Sequence, residues 1–186
     1  YSLVNTQLLQ NKIGPCPKIY WTPLTTIDDF HAYTKSQYHS YNASTPVPDY
    51  DVAFYGNTHL ARRRKFLEKI SQRFRVLIVS NLYGEKLYEQ LTRAKIVVNI
   101  HNYDKSPLET VRIYETLSLG PQIVSEDSVD IEYHRELKQV IAFTPIGDID
   151  SMIAAIEHKL QNYPGETRRY HPQTNQFAVN LKHMLV

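Results

Sequence analysis

From Asp49 onward, short continuous apolar runs alternate with helical stretches of roughly ten to fifteen residues, and that rhythm leaves few architectures open. Val52-Ala53-Phe54-Tyr55 reads as a strand ending at Gly56. Leu60 to Phe74 reads as a helix with Leu60, Phe66, Leu67 and Ile70 on its apolar side. Arg75 to Val79 is a second strand, Gly84 to Arg93 a helix, and Ile96 to Ile100 a third strand. Leu108 to Leu119 is a helix closed by Gly120, and Gln122 to Ser125 a fourth strand. A short helix around Asp130 to Leu137 leads to a fifth strand, Val140 to Phe143. Asp148 then caps a helix that runs to Leu160. Strands apolar on both faces belong to a parallel sheet covered on both sides. The expected fold is therefore α/β, doubly wound, with a mostly parallel sheet of about five to six strands.

The flanks differ from this unit. A short amphipathic helix (Leu3 to Lys12) and a strand-like Lys18 to Trp21 precede a polar, tyrosine-rich linker, Thr34 to Pro48, whose Pro46 and Pro48 suit neither a helix interior nor a central strand. After Pro164-Gly165 the chain is polar and then offers a last helix, Asn175 to Leu185. Residues 1–48 are thus expected as an appendage and linker, 49–163 as the α/β domain, and 164–186 as a tail. The chain begins at Tyr1 without methionine, in what reads as mid-helix, and is taken as a piece of a longer protein.

Composition removes several functional classes. Of 186 residues, 42% are hydrophobic and 22% charged, ordinary globular values. A formal charge of +2 gives no reason to expect nucleic acid or an anionic membrane as the main partner. Cys16 has no second cysteine to pair with, which excludes an intrachain disulfide and a cysteine metal cage. The histidines show no HExxH or paired metal spacing. No apolar run approaches the roughly 20 residues that span a bilayer, and no secretory signal opens the chain. A cytoplasmic, reducing location is the expectation.

In a doubly wound sheet, ligands bind beyond the carboxyl ends of the strands. The third such loop and its helix, His101 to Glu115, carry the strongest signal. At helical spacing Glu109, Arg112, Glu115 and Thr116 share a polar arc, while Val111, Ile113, Tyr114 and Leu117 turn toward the sheet. Free amides at the helix start favour an anion such as pyrophosphate, Arg112 suits phosphate oxygens, and Glu115 suits vicinal ribose hydroxyls. The same residues also fit a solvated face tied by i,i+3 ion pairs. The first loop, Gly56-Asn57-Thr58-His59, permits close backbone approach and is followed by Arg62-Arg63-Arg64 at a helix start. Cations there run against the helix dipole, so an anion nearby would rationalise them; a solvated basic face is the bland alternative. This loop contains neither GxGxxG nor a P-loop, and the chain has no Gly-x-Ser-x-Gly elbow. His101, ending a strand, suits hydrogen bonding to a sugar or phosphate, or acid–base work, or a structural role. Asn81 and Tyr83, after the second strand, suit a nucleobase, or simply a turn with a packing tyrosine.

The run Ala94 to His101, then Leu108-Glu109-Thr110-Val111-Arg112-Ile113-Tyr114-Glu115-Thr116-Leu117-Ser118-Leu119-Gly120-Pro121-Gln122-Ile123-Val124-Ser125, resembles the donor-binding, Rossmann-like half of GT-B glycosyltransferases. It is most similar to the group 1 retaining branch and its CgeB-like relatives. Asp51 to Gly56 with Arg62-Arg63 is similar to the start of that domain. The resemblance covers Asp49 to about Leu160. It implies a nucleotide-diphosphate sugar as donor, UDP favoured and GDP possible, with no obligatory metal or cofactor. It also implies transfer of the sugar to a glycan or other hydroxyl acceptor and an acceptor-binding domain in the same parent chain. Glu115 takes the position of the ribose-binding glutamate. Amides from Glu109 to Val111, Thr110 included, would meet the diphosphate, assisted by Arg62 or Arg63 with Gly56 and Asn57 alongside. His101, Glu109 and Arg112 are the candidates nearest the reacting groups. The group 1 pattern has a second glutamate eight positions before Glu115, and Pro107 stands there. Two alternatives stay open: a non-catalytic nucleotide-binding module, and a nucleotide-sugar 2-epimerase of the same architecture.

Overall fold

Five strands, all parallel, form one sheet in the computed structural model, which describes residues 48–163. In chain order the elements are β1 (Tyr50–Tyr55), α1 (Ala61–Ser71), β2 (Val76–Val79), α2 (Glu85–Leu91), β3 (Ala94–Asn99) and α3 (Thr110–Leu119). They continue with β4 (Gln122–Glu126), a 3-10 segment (Ile131–Gln139), β5 (Ile141–Thr144) and α4 (Ile149–Gln161). The helices expected at Leu3–Lys12 and Asn175–Leu185, the strand-like Lys18–Trp21 and the linker before Pro48 lie outside the described residues.

The strand order is β2-β1-β3-β4-β5. Chain progression therefore reverses between β1 and β3, and the two crossovers that diverge there leave a crevice above their carboxyl ends. The pairing is in parallel register on both sides of the reversal, with Val52 opposite Ile96 and Phe54 opposite Ile78.

Side-chain alternation along each strand supplies both faces. Val52 and Phe54 of β1, Ile96 and Val98 of β3, and Val124 of β4 pack against Phe66, Leu67 and Ile70 of α1 and Met152, Ile153 and Ile156 of α4. On the other face Ala53, Val79 and Val97 meet Leu87 and Leu91 of α2. Ile123 and Ile141 meet Ile113 and Tyr114 of α3 and Leu137 of the 3-10 segment. The doubly wound α/β fold follows directly from strands that are apolar on both sides.

Three local expectations are corrected. Helix α3 begins at Thr110, not Leu108, because Glu109 has a non-helical backbone, φ −74° and ψ 70°, and the Thr110 amide turns back to Leu108 O at 2.8 Å, while buried Leu108 is anchored through its amide to Asp130 Oδ1 at 2.9 Å. Its buried residues are Thr110, Ile113, Tyr114, Thr116 and Ser118, so Thr116 is buried rather than on the polar arc, and Val111 is exposed rather than turned to the sheet. Leu60 precedes α1 as an exposed N-cap residue and does not join the apolar side. The segment expected as a helix near Asp130 is 3-10 and breaks at His134, where φ is −128°.

Candidate functional site

Two arginines, one from a helix on each face of the sheet, meet over the carboxyl end of β1. Arg63 of α1 is buried, its guanidinium 5.3 Å from the Phe54 ring centroid. Its Nε donates to Ile100 O at 2.8 Å and its Nη1 to Asn57 O at 3.1 Å. Arg112 of α3 lies over Tyr55 (5.1 Å) and Phe54 (5.7 Å), and its Nη1 donates to Asn99 Oδ1 at 2.6 Å. The meeting point is Gly56, whose φ of +133° is a conformation reserved for glycine. A Cβ there would sit 2.9 Å from Arg112 Nη2 and 3.6 Å from Arg63 Nη1, so a side chain would displace the guanidinium.

Both arginines draw on a single carboxylate. Glu109 Oε1 is 3.4 Å from Arg63 Nη2 and 3.8 Å from Arg112 Nη1, while Oε2 accepts from Asn99 Nδ2 at 3.0 Å. His101 brings a fourth nitrogen, Nδ1, to 2.6 Å from Oε2, a charge contact rather than an aligned hydrogen bond. Burial acts to raise the Glu109 carboxyl, but His101, Arg112 and Asn99 outweigh it and hold the group below its usual range. Arg63 is pushed the other way: burial, then the Arg112 charge, lowers it to about 10. Two guanidiniums and one carboxylate leave the crevice positive, and the first-turn amides of Val111 and Arg112 find no acceptor among the described residues.

Glu115 is half-buried one turn further along α3, and its Oε2 accepts from Tyr55 Oη at 2.6 Å. Burial, together with the Glu115 carboxylate, raises both the Tyr55 and the Tyr88 phenols, which keeps them protonated donors facing that acid.

Arg62 and His101 have duties other than those expected. The Arg62 fork is closed on buried Glu126 at the end of β4, Nη1 to Oε2 at 2.7 Å and Nη2 to Oε1 at 2.5 Å, and its Nε bonds Asp104 at 2.7 Å. With its donors taken, Arg62 fastens the third loop instead of facing the crevice. His101 has no exposed surface, and its Nε2 lies 2.8 Å from Asp127 O. Thr110 is buried and its amide turns back to Leu108 O, so it is not among the free first-turn donors. Asn57 is exposed and its Oδ1 accepts from the His59 amide in a local turn. Asn81, at φ +55°, and Tyr83 are exposed on the loop after β2, the strand at the sheet's edge.

Asn99, Tyr55 and Glu126 are the residues that sequence inspection passed over. Each is a polar side chain at the last position of its strand, on the sheet edge where ligands bind, and that position is the signal that marks them. Among the described residues no group of His, Cys, Asp and Glu is placed to hold a metal ion, and no helix is long and apolar enough to cross a membrane. No protein-family model matches the chain, and no curated protein matches it.

Proposed function

We propose that this chain carries the donor-binding half of a GT-B-type glycosyltransferase and binds a nucleoside diphosphate, UDP before GDP, as its sugar conjugate. The diphosphate lies in the β1/β3 crevice against Gly56, Arg63, Arg112 and the first turn of α3, and Glu115 accepts from the ribose hydroxyls. The observation that carries this is the pair of guanidiniums sharing one carboxylate and converging on a glycine whose missing side chain lets both approach. Charge is the reason. Bidentate donors in a desolvated crevice are the groups that bind phosphate oxygens best, and they also stabilise a departing diphosphate when a glycosyl bond breaks. The transferred sugar, the hydroxyl acceptor and the second domain that would bind it follow from the family resemblance.

A non-catalytic nucleotide-binding module has one observation in its favour. His101 and Glu109, the acid–base candidates, are turned on each other and on protein groups. Calorimetric titration of UDP and GDP against the wild type, Arg112→Ala and Glu115→Ala tests binding. Each substitution is expected to weaken UDP about tenfold or more, as loss of a charge-assisted contact does. Unchanged affinity in both variants would contradict the site. Release of free sugar or its transfer from UDP-sugars by the full-length parent separates transferase from module.

A further inference from the structure

Both ring nitrogens of His101 face acceptors. Nδ1 lies 2.6 Å from the Glu109 carboxylate and Nε2 2.8 Å from Asp127 O, in a position with no exposed surface. A neutral imidazole has one N–H and one lone pair, so either tautomer would press a lone pair against an oxygen. Only the imidazolium donates from Nε2 to the carbonyl while setting positive charge, and no lone pair, against the carboxylate. The backbone of His101 is fixed as well: its amide donates to Glu126 Oε2 at 2.8 Å and its carbonyl accepts from Arg62 Nη1 at 3.0 Å, so the ring cannot slide away.

We propose that His101 is a positioning residue, held as a buried imidazolium that supplies Glu109 with its counter-charge and so leaves the charge of the Arg63–Arg112 pair uncancelled toward an anionic ligand. Around Glu109 stand three cations when the ring is protonated and two when it is not. With the ring neutral, Glu109 turns its full charge on the arginines, and the crevice loses one positive charge. The other charged groups facing the ring are Glu126 from β4, itself closed on Arg62 of α1, and Arg63 of α1, bonded to the neighbouring Ile100 carbonyl. Burial favours the neutral ring, but Glu109 in contact, the Asp127 carbonyl and Glu126 outweigh it and raise the group above the usual histidine range. This rests on the anion site proposed above and assigns its regulation: affinity falls as the imidazolium loses its proton.

The test joins two measurements on the whole chain. Nitrogen NMR of histidine-labelled protein between about pH 7.5 and 9 reports the protonation of His101, its resonance identified by its absence from His101→Asn. UDP affinity is measured across the same range, where its terminal phosphate, with a proton lost near pH 6, no longer titrates. His101 is expected to be doubly protonated at pH 7.5, and UDP affinity to fall about tenfold as the ring deprotonates, the linkage of one shifted proton. His101→Asn keeps a donor toward Glu109 without the charge, and is expected to bind UDP weakly with a flat pH profile. A ring neutral at pH 7.5, or an affinity that stays constant while the ring titrates, overturns the proposal and leaves the anion site standing. No UDP binding at any pH with the ring charged overturns both. If His101→Asn does not fold, backbone connectivity assigns the resonance and the wild-type profile alone decides.

Discussion

Glu126 accepts four hydrogen bonds while fully buried: two from the Arg62 fork, one from the His101 amide and one from the Gly147 amide at 2.7 Å. A carboxylate out of water survives only when so fully partnered. Glu126→Ala strands Arg62 and two backbone donors at once. It is expected to cost about 3–5 kcal/mol in urea unfolding, the usual effect of breaking a buried pair by removing one partner. A loss below about 1 kcal/mol would show that water replaces the carboxylate freely. The pairing also marks a limit of legibility. Arg62 and Arg63 look equivalent in the sequence, adjacent in one basic run, yet Arg62 finds its partner 64 positions away and Arg63 is buried against the Ile100 and Asn57 carbonyls at the end of β1. Local pattern gave the charge and the helix; which arginine meets which acid depends on how β4 lies beside β3. Arg112, Glu109 and Glu115 were legible because a single helix and its leading turn present all three.

At the scale of elements, the two glycines that end β1 and α3 separate backbone strain from ligand contact. Gly120 closes α3 at φ +103° with nothing within 4 Å of an added Cβ, and Gly56 ends β1 at +133° with Arg112 2.9 Å away. Gly120→Ala is expected to cost about 1 kcal/mol of stability from the left-handed conformation alone, with UDP affinity intact. Gly56→Ala is expected to add to such strain a loss of UDP binding, because Arg112 must leave its place. Paired melting curves and titrations check this, and equal affinities in the two variants would count against the crevice. All five strands could be read from the sequence, since continuous β-branched runs between helices have few other uses. The start of α3 could not. It is set by a tight backbone turn at Glu109, which the apolar periodicity of the segment does not register.

For the whole molecule, Glu109, Asp130 and His101 are among the shifted groups that set the dependence of stability on acidity. Glu109 and Asp130 titrate below their unfolded values of 4.5 and 3.8, Asp130 at about 2. Burial opposes the Asp130 shift, and His134, the Leu108 amide and Ser128 outweigh it. Their stabilisation is present above the unfolded values and lost as pH falls through the folded ones. His101 has the opposite sign: its contribution is complete below the unfolded value of 6.5 and lost as pH rises through its raised folded value. Melting temperature is therefore expected to peak between about pH 5 and 6.5 and to decline on both sides. A melting temperature still climbing from pH 6.5 to 9 would remove the buried imidazolium from this account. One consequence follows from the arginines' origins. Neither layer of helices owns the crevice, since Arg63 arrives with one and Arg112 with the other. A chain from which either layer has peeled holds half of the proposed anion site, so a dianion bound there would act as a rivet between the two layers. Occupancy then lengthens the life of the folded state in proportion to how far ligand exceeds its dissociation constant, and partly folded chains take no share of the ligand.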